Sequence, residues 1–239
     1  MAASDTVEAS ARAFYDGVAQ HYDHLLDTPT ARELRECFWR RAEMLLPAAP
    51  ARILDFGAGT GIDAKHFAQL GHHVTAYDVS PGMLAVLERR CAPEMAAGTV
   101  VPVFAPPHRA REPLAAGAPY DAILCNFAVF TLIRTLSDTF RLFGELVRPG
   151  GAVLICIQNP WWPEEMRMRS FWRGLMMMPV RGVISYPGSQ SGESYRHTPW
   201  QMHRAARPQF VAHRGPVPSC CRGSFGLRSQ FRLVALCRS

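Results

Sequence analysis

Residues 53 to 64 read ILDFGAGTGIDA: an apolar run, then three glycines within five residues, then the start of a helical pattern. The apolar run suits a buried strand. Glycine directly after it lets the chain turn and lets a ligand approach the backbone, because no side chain blocks the way and positive φ costs glycine little. In open sheets, ligands sit beyond the carboxyl ends of the strands, so this loop lies on the binding edge. A dinucleotide fingerprint needs glycine at position 62, where Ile62 stands; a phosphate loop needs Lys then Ser or Thr after Gly61, where Ile62 and Asp63 follow. What remains is G-x-G-x-G with an acid, Asp78, 17 residues beyond Gly61. A carboxylate there can accept hydrogen bonds from both hydroxyls of a ribose, which points to a nucleoside without a pyrophosphate.

Outward from this loop, short apolar runs alternate with helical patterns. Strands are expected at 51 to 56, 73 to 78, 100 to 105, 122 to 126 and 152 to 157, with helices at 62 to 70, 81 to 91 and 136 to 147. That alternation predicts an α/β fold with a doubly wound, mostly parallel sheet. The run AVLICI at 152 to 157 is apolar throughout, as a strand covered on both faces should be. Two helices are expected before the first strand. One carries a stripe from Ala11 to Leu26; the other has Thr30 and Glu33 at capping-box spacing and Leu34, Phe38, Ala42 and Leu45 on its buried face. Ser80 and Pro81 read as N-cap and first helical residue, which fixes the direction of Asp78. After Asn159 come an aromatic and Met-rich stretch, a turn-like VISYPGSQSGES, a short helix within 195 to 210 and a closing pair of strands. The expected organisation is a helical cap at 1 to 50, a binding core at 51 to 160, and a lid with closing strands at 161 to 239, all one domain.

The chain has 239 residues, 48% apolar, enough for a sizeable core. Its N-terminus lacks the pattern of a signal peptide, and AVLICI is far short of the about 20 residues of a membrane-spanning helix. A cytoplasmic protein is expected. Seven cysteines without a C-x-x-C pair suggest neither a disulfide framework nor a metal cage, and Cys220 and Cys221 are candidates for a labile thiol. The net charge of +6 is uneven: residues 161 to 239 hold 12 arginines against 3 acids. Such a segment suits a solvated surface, or contact with nucleic acid, anionic lipid or an acidic substrate.

The order and spacing of DFGAGTG, AYDVSPGML, YDAILCNF and LVRPGGAVL, together with FYDGVAQHYD at 14 to 23, resemble the motifs of class I S-adenosylmethionine-dependent methyltransferases, across residues 14 to 158. That resemblance implies a Rossmann-like methyltransferase fold with S-adenosylmethionine as cofactor. It places the backbone of Gly57, Ala58 and Gly59, with Gly61 completing the loop, against the methionine part. It assigns Asp55 to the loop and the amino group, Asp78 to the ribose, and Val79 and Met83 to adenine. Asn126 and Phe127 fall near the methionine moiety or the methyl group, and Tyr22 closes the pocket. Many members carry an acid after the third strand for the adenine amino group; here Phe104, Ala105, Pro106, Pro107 and His108 follow, which leaves that contact open.

The acceptor is read partly by elimination. Phe-Ala-Val after Asn126 is not the Pro-Pro-Tyr or Pro-Pro-Phe of enzymes acting on nucleic-acid amines or glutamine, and no Pro-Cys pair offers a cytosine C5 nucleophile. Macromolecular acceptors are disfavoured. Tyr15, Trp161, Trp162 and Trp172, with the nearby methionines, could wall a site for a small hydrophobic or aromatic acceptor methylated at oxygen or nitrogen; the same Trp and Met residues equally suit a core beneath a subdomain. Tyr195 and His197 are candidates for a base or an acceptor-orienting pair, or for ordinary hydrogen-bonding residues. His66, His72 and His73 read as exposed. The alternative function is a nucleic-acid or anionic-surface binder that retains the fold.

Overall fold

Three helices precede the first strand in the computed structural model, which describes residues 2–127, 129–181, 184–189, 192–213, 215 and 230–239. The first expected helix is two, α1 (Ala2–Val18) and α2 (Tyr22–Leu26), and α3 spans Pro29–Glu43. The cap of α3 is Thr28, not Thr30: its hydroxyl accepts from the Ala31 amide at 3.1 Å. Pro29, whose fixed φ suits the first turn, starts the helix two residues early.

Five parallel strands follow: β1 (Arg52–Phe56), β2 (His73–Asp78), β3 (Val100–Phe104), β4 (Tyr120–Cys125) and β5 (Val147–Gln158). Between them run α4 (Ile62–Gln69), α5 (Pro81–Arg90), α6 (Ala92–Ala96), α7 (Arg111–Ala115) and α8 (Leu136–Leu146). Beyond β5 come α9 (Pro163–Met166), α10 (Arg169–Arg181), the antiparallel pair β6 (Ile184–Ser189) and β7 (Gly192–Arg196), α11 (Pro199–Ala206), β8 (Phe210–Ala212) and β9 (Phe231–Arg238). The main sheet has the order β3-β2-β1-β4-β5-β9-β8, with β9 antiparallel to both neighbours. The segment read as turn-like is thus largely the β6–β7 hairpin, because Ile184, Tyr186 and Tyr195 outweigh the local Gly and Ser. Cys220 and Cys221 lie outside the described residues.

Successive strand residues point to opposite faces. Leu54, Ile123, Val153 and Ile155 meet Phe140 and Phe143 of α8 on one face, while Ile53, Leu124 and Leu154 meet Leu34 and Phe38 of α3 and Phe67 of α4 on the other. Residues 152 to 157 are buried throughout, as a strand between two helical layers requires. The order reverses at β1, which lies between β2 and β4, so the crevice beyond the carboxyl ends of these three strands is where a doubly wound sheet places its ligand.

Candidate functional site

A cavity of about 990 Å³ opens at that crevice. Its floor is the β1–α4 loop, where Gly57, Gly59 and Gly61 all have positive φ. The reasons differ. A Cβ on Gly61 would sit 2.5 Å from Cγ of buried Leu87, so this glycine serves packing, whereas a Cβ on Gly59 would meet nothing within 4 Å. Gly59 is bare where the cavity needs an open approach. Gly57, Ala58, Gly59, Asp78, Val79 and Met83 all line the cavity, as do Tyr15, Tyr22, Asn126 and Phe127.

Asp78 ends β2 and is nearly buried. Its Oδ2 accepts from the Gly59 amide at 2.8 Å and its Oδ1 from the Ser80 amide at 2.9 Å. Ser80 Oγ caps α5 by accepting from the Met83 amide at 3.0 Å, as the Ser-Pro pair predicts. Burial raises the Asp78 pKa, and the amides of Ser80 and Gly59 oppose that shift. Each carboxylate oxygen retains acceptor capacity beyond its one amide bond.

Asp55 lies beneath the loop. Burial pushes its carboxyl well above the ordinary range, and the nearby carboxylates Asp63 and Asp78 push in the same direction. Its Oδ2 is buried without a hydrogen-bond partner. An orphaned carboxylate oxygen under a glycine loop is what a cationic amino group would satisfy.

Further residues, not singled out in the sequence as site residues, join this end. Asp63 accepts from Trp39 Nε1 at 2.7 Å and from Asn126 Nδ2 at 2.9 Å, and Arg35 Nε stands 3.4 Å from its Oδ1. Asn126 is therefore held by Asp63, while its Oδ1 accepts from the Phe127 amide at 2.9 Å. Phe127 has φ of 45°, uncommon for a bulky residue, and the Arg35 guanidinium lies 4.6 Å over its ring. Arg35 and Trp39 sit four apart on α3, one position round from the buried Leu34 and Phe38, and that second stripe was the available signal. The N-terminal helices close the site from above. Asp16 accepts from Ser80 Oγ at 2.6 Å and the Gly82 amide at 2.9 Å, and Asp23 accepts from Thr60 Oγ1 at 2.5 Å and pairs with Arg90. Tyr15 and Tyr22 meet edge-to-face at 5.9 Å, and burial raises both phenols above their ordinary range.

The rest of the wall is formed by Pro106, Pro107, Leu132, Ile133 and Leu142, by the polar Arg134, Thr135, Asp138 and Thr139, and by Tyr195 from β7, while Val129 stands against Gly57. His197 does not line it; its Nε2 donates to the Ile133 carbonyl at 2.6 Å, and burial lowers its pKa. Trp161, Trp162 and Trp172 are also absent from the described lining. Trp161 and Trp172 pack on buried Phe171 instead, with ring centroids 6.3 and 5.2 Å away, in a small cluster of their own. His72, expected to be exposed, is buried: its Nδ1 accepts from the Ala51 amide at 3.1 Å.

Fold and site together define a class I S-adenosylmethionine-dependent methyltransferase: the donor set fits that cofactor through the ribose-competent Asp78, the bare Gly59 and the orphaned Asp55 oxygen. A methyltransferase domain model matches residues 19–205, and the chain belongs to that family. The demethylmenaquinone methyltransferase of Beutenbergia cavernae is 31% identical over 210 residues, covering 84% of this chain and 81% of its own. That of Tropheryma whipplei is 39% identical over 85 residues, 35% of either chain. Among solved structures, the 1,6-didemethyltoxoflavin N1-methyltransferase of Burkholderia thailandensis, determined with 1,6-didemethyltoxoflavin and S-adenosylhomocysteine bound, has a TM-score of 0.63 at 18% identity, covering 100% of this chain and 92% of its own. No helix among the described residues is long and apolar enough to cross a membrane.

Proposed function

We propose that the chain methylates a small, apolar, ring-bearing acceptor held at the end of the cavity remote from the glycine loop. The observation that carries this reading is the apolar wall of Leu132, Ile133 and Leu142, set among Arg134, Thr135, Asp138 and Thr139, in the same cavity of about 990 Å³ as the glycine loop. That volume lies near the top of the range of about 300 to 1,000 Å³ for small-molecule sites, room for two ligands side by side. The named activity of the Beutenbergia relative, on demethylmenaquinone, supports the same acceptor type.

In this reading Asp78 holds the ribose, Val79 and Met83 the adenine, Asp55 the amino group, and the Gly57–Gly59 backbone with Arg35 the carboxylate. Asn126 and Phe127, fixed by Asp63 and Arg35, face the junction between donor and acceptor. S-adenosylmethionine, when bound, supplies a methyl group already activated on a sulfonium. The residues of the chain then hold the acceptor in line and exclude water, and orientation of this kind lowers a barrier by about 7 to 11 kcal/mol. Tyr15 and Tyr22 keep their protons at neutral pH, because burial raises both. His197, turned to the Ile133 carbonyl, does not serve as base. Tyr195, buried at the cavity wall, orients the acceptor through its hydroxyl.

The test incubates the protein with S-adenosylmethionine and a panel of quinols, phenols, amines and carboxylates, and searches by mass spectrometry for products heavier by CH₂. Turnover of apolar ring compounds, abolished by Leu142→Arg with cofactor affinity retained, is the expected outcome. Turnover confined to polar acyclic acceptors would contradict the reading.

A further inference from the structure

The helix α10 carries an exposed apolar stripe that the cavity does not use. Met168, Trp172 and Met176 recur every four residues and are 47%, 51% and 78% exposed, and Trp161, 45% exposed, stands beside them against Phe171. Trp172 and Met176, four apart on α10, share one side of the helix, and Met168 lies in the turn just before it. The adjoining side is satisfied: Phe171 is fully buried, with Leu175 and Met178 packed near it. Arg169 and Arg173 form a parallel row beyond the stripe, both exposed, and Arg167 lies in the preceding turn. Contiguous exposed apolar side chains rimmed by charge mark an interaction surface.

We infer that this face of α10 docks the protein on an anionic lipid surface. The apolar stripe is suited to the boundary between headgroups and acyl chains, where Trp is favoured, and the arginine row to the headgroup phosphates, with aliphatic stems lying along the apolar layer. A second copy of the chain is a poorer occupant, because a two-fold contact would bring the same cationic rows together. Nucleic acid has use for the arginines but none for a methionine stripe. The placement suits the cavity: α10 packs on β6, and β6 pairs with β7, which carries Tyr195 to the cavity wall. An apolar molecule dissolved in lipid would thus meet the protein on the side that bounds the acceptor chamber.

The test is flotation of the full chain with vesicles of phosphatidylglycerol and phosphatidylcholine in equal parts, compared with phosphatidylcholine alone. Two double variants accompany it: Met168→Ser with Met176→Ser, and Arg169→Glu with Arg173→Glu. The wild type should float with the mixed vesicles, lose binding as salt rises and bind the neutral vesicles at least tenfold more weakly. Each double variant should lose about tenfold or more, at roughly a factor of five per arginine. Both should keep their melting temperature and their affinity for S-adenosylhomocysteine, since neither alters the cavity. Quenching of the wild-type tryptophans by brominated lipid is the check that needs no variant. Equal binding to neutral vesicles, no binding at low salt, or undiminished binding by both variants would overturn the inference. So would tight binding of an RNA oligonucleotide in place of vesicles, or a dimer that only the methionine variant dissociates. None of these readouts depends on the acceptor, so the docking surface and the proposed activity fail separately.

Discussion

The glycine-loop end of the cavity and the segment beyond β5 are assembled differently. At the loop, four carboxylates each hold at least two partners: Asp16, Asp23, Asp63 and Asp78 tie α1 through α5 and the end of β2 together by hydrogen bonds and ion pairs. Beyond β5, the aromatic residues pack on one another around Phe171, and Tyr195 alone of the residues predicted there reaches the described cavity wall. Preorganisation thus belongs to the glycine-loop end, while the later segment is a layer laid beside the cavity.

That contrast is most easily broken at Gly61. Gly61→Ala places a Cβ against Leu87 in a left-handed conformation and should lower stability by about 2 to 5 kcal/mol in urea denaturation. A loss below 1 kcal/mol would show that the loop is not held as tightly as the contacts imply.

Asp55→Asn separates folding from binding. A carboxyl whose folded pKa is raised contributes stability at low pH that is lost as pH rises through the folded value, so at neutral pH the unliganded Asn variant should be no less stable than wild type. It should nonetheless bind S-adenosylhomocysteine more weakly by about 1.5 to 3 kcal/mol, the range of a hydrogen bond to a charged group. Equal affinity would leave the orphaned oxygen without a ligand.

The histidine beside the hairpin titrates in the other sense. Burial depresses the His197 pKa, so its contribution is present above the unfolded value of about 6.5 and lost as pH falls through the depressed one. Melting temperatures measured from pH 7.5 to 5 should fall in acid, and less so in His197→Gln, which keeps a donor for the Ile133 carbonyl. The smallest effect sharpens the comparison most: Trp172→Ala should leave cofactor affinity unchanged, and its stability cost should add to that of Asp78→Ala within about 0.5 kcal/mol. Strong coupling between them would mean that the two regions form one unit.

The parallel core was legible because each signal was local. β2 spans 73 to 78 as expected, and Ser80-Pro81 starts α5 where the dipeptide says it must. Gly57 through Asp78 were recognisable because backbone freedom and an acid at a strand end leave marks in a single stretch. Asp63, Arg35 and Asp23 were not, because their roles come from contacts 24 to 92 residues away that no local pattern encodes. The tryptophans left two readings open for a related reason: aromatic composition announces burial against something, but whether that partner is a ligand or Phe171 depends on tertiary packing.

Titration calorimetry with S-adenosylhomocysteine on wild type and Asp78→Ala, both checked for folding by thermal unfolding, addresses the cofactor end most directly. Saturable one-to-one binding by the wild type, weakened in the variant by about 1.5 to 3 kcal/mol, is the predicted result. Equal affinity in the two proteins, or no heat of binding from folded wild type, would contradict it.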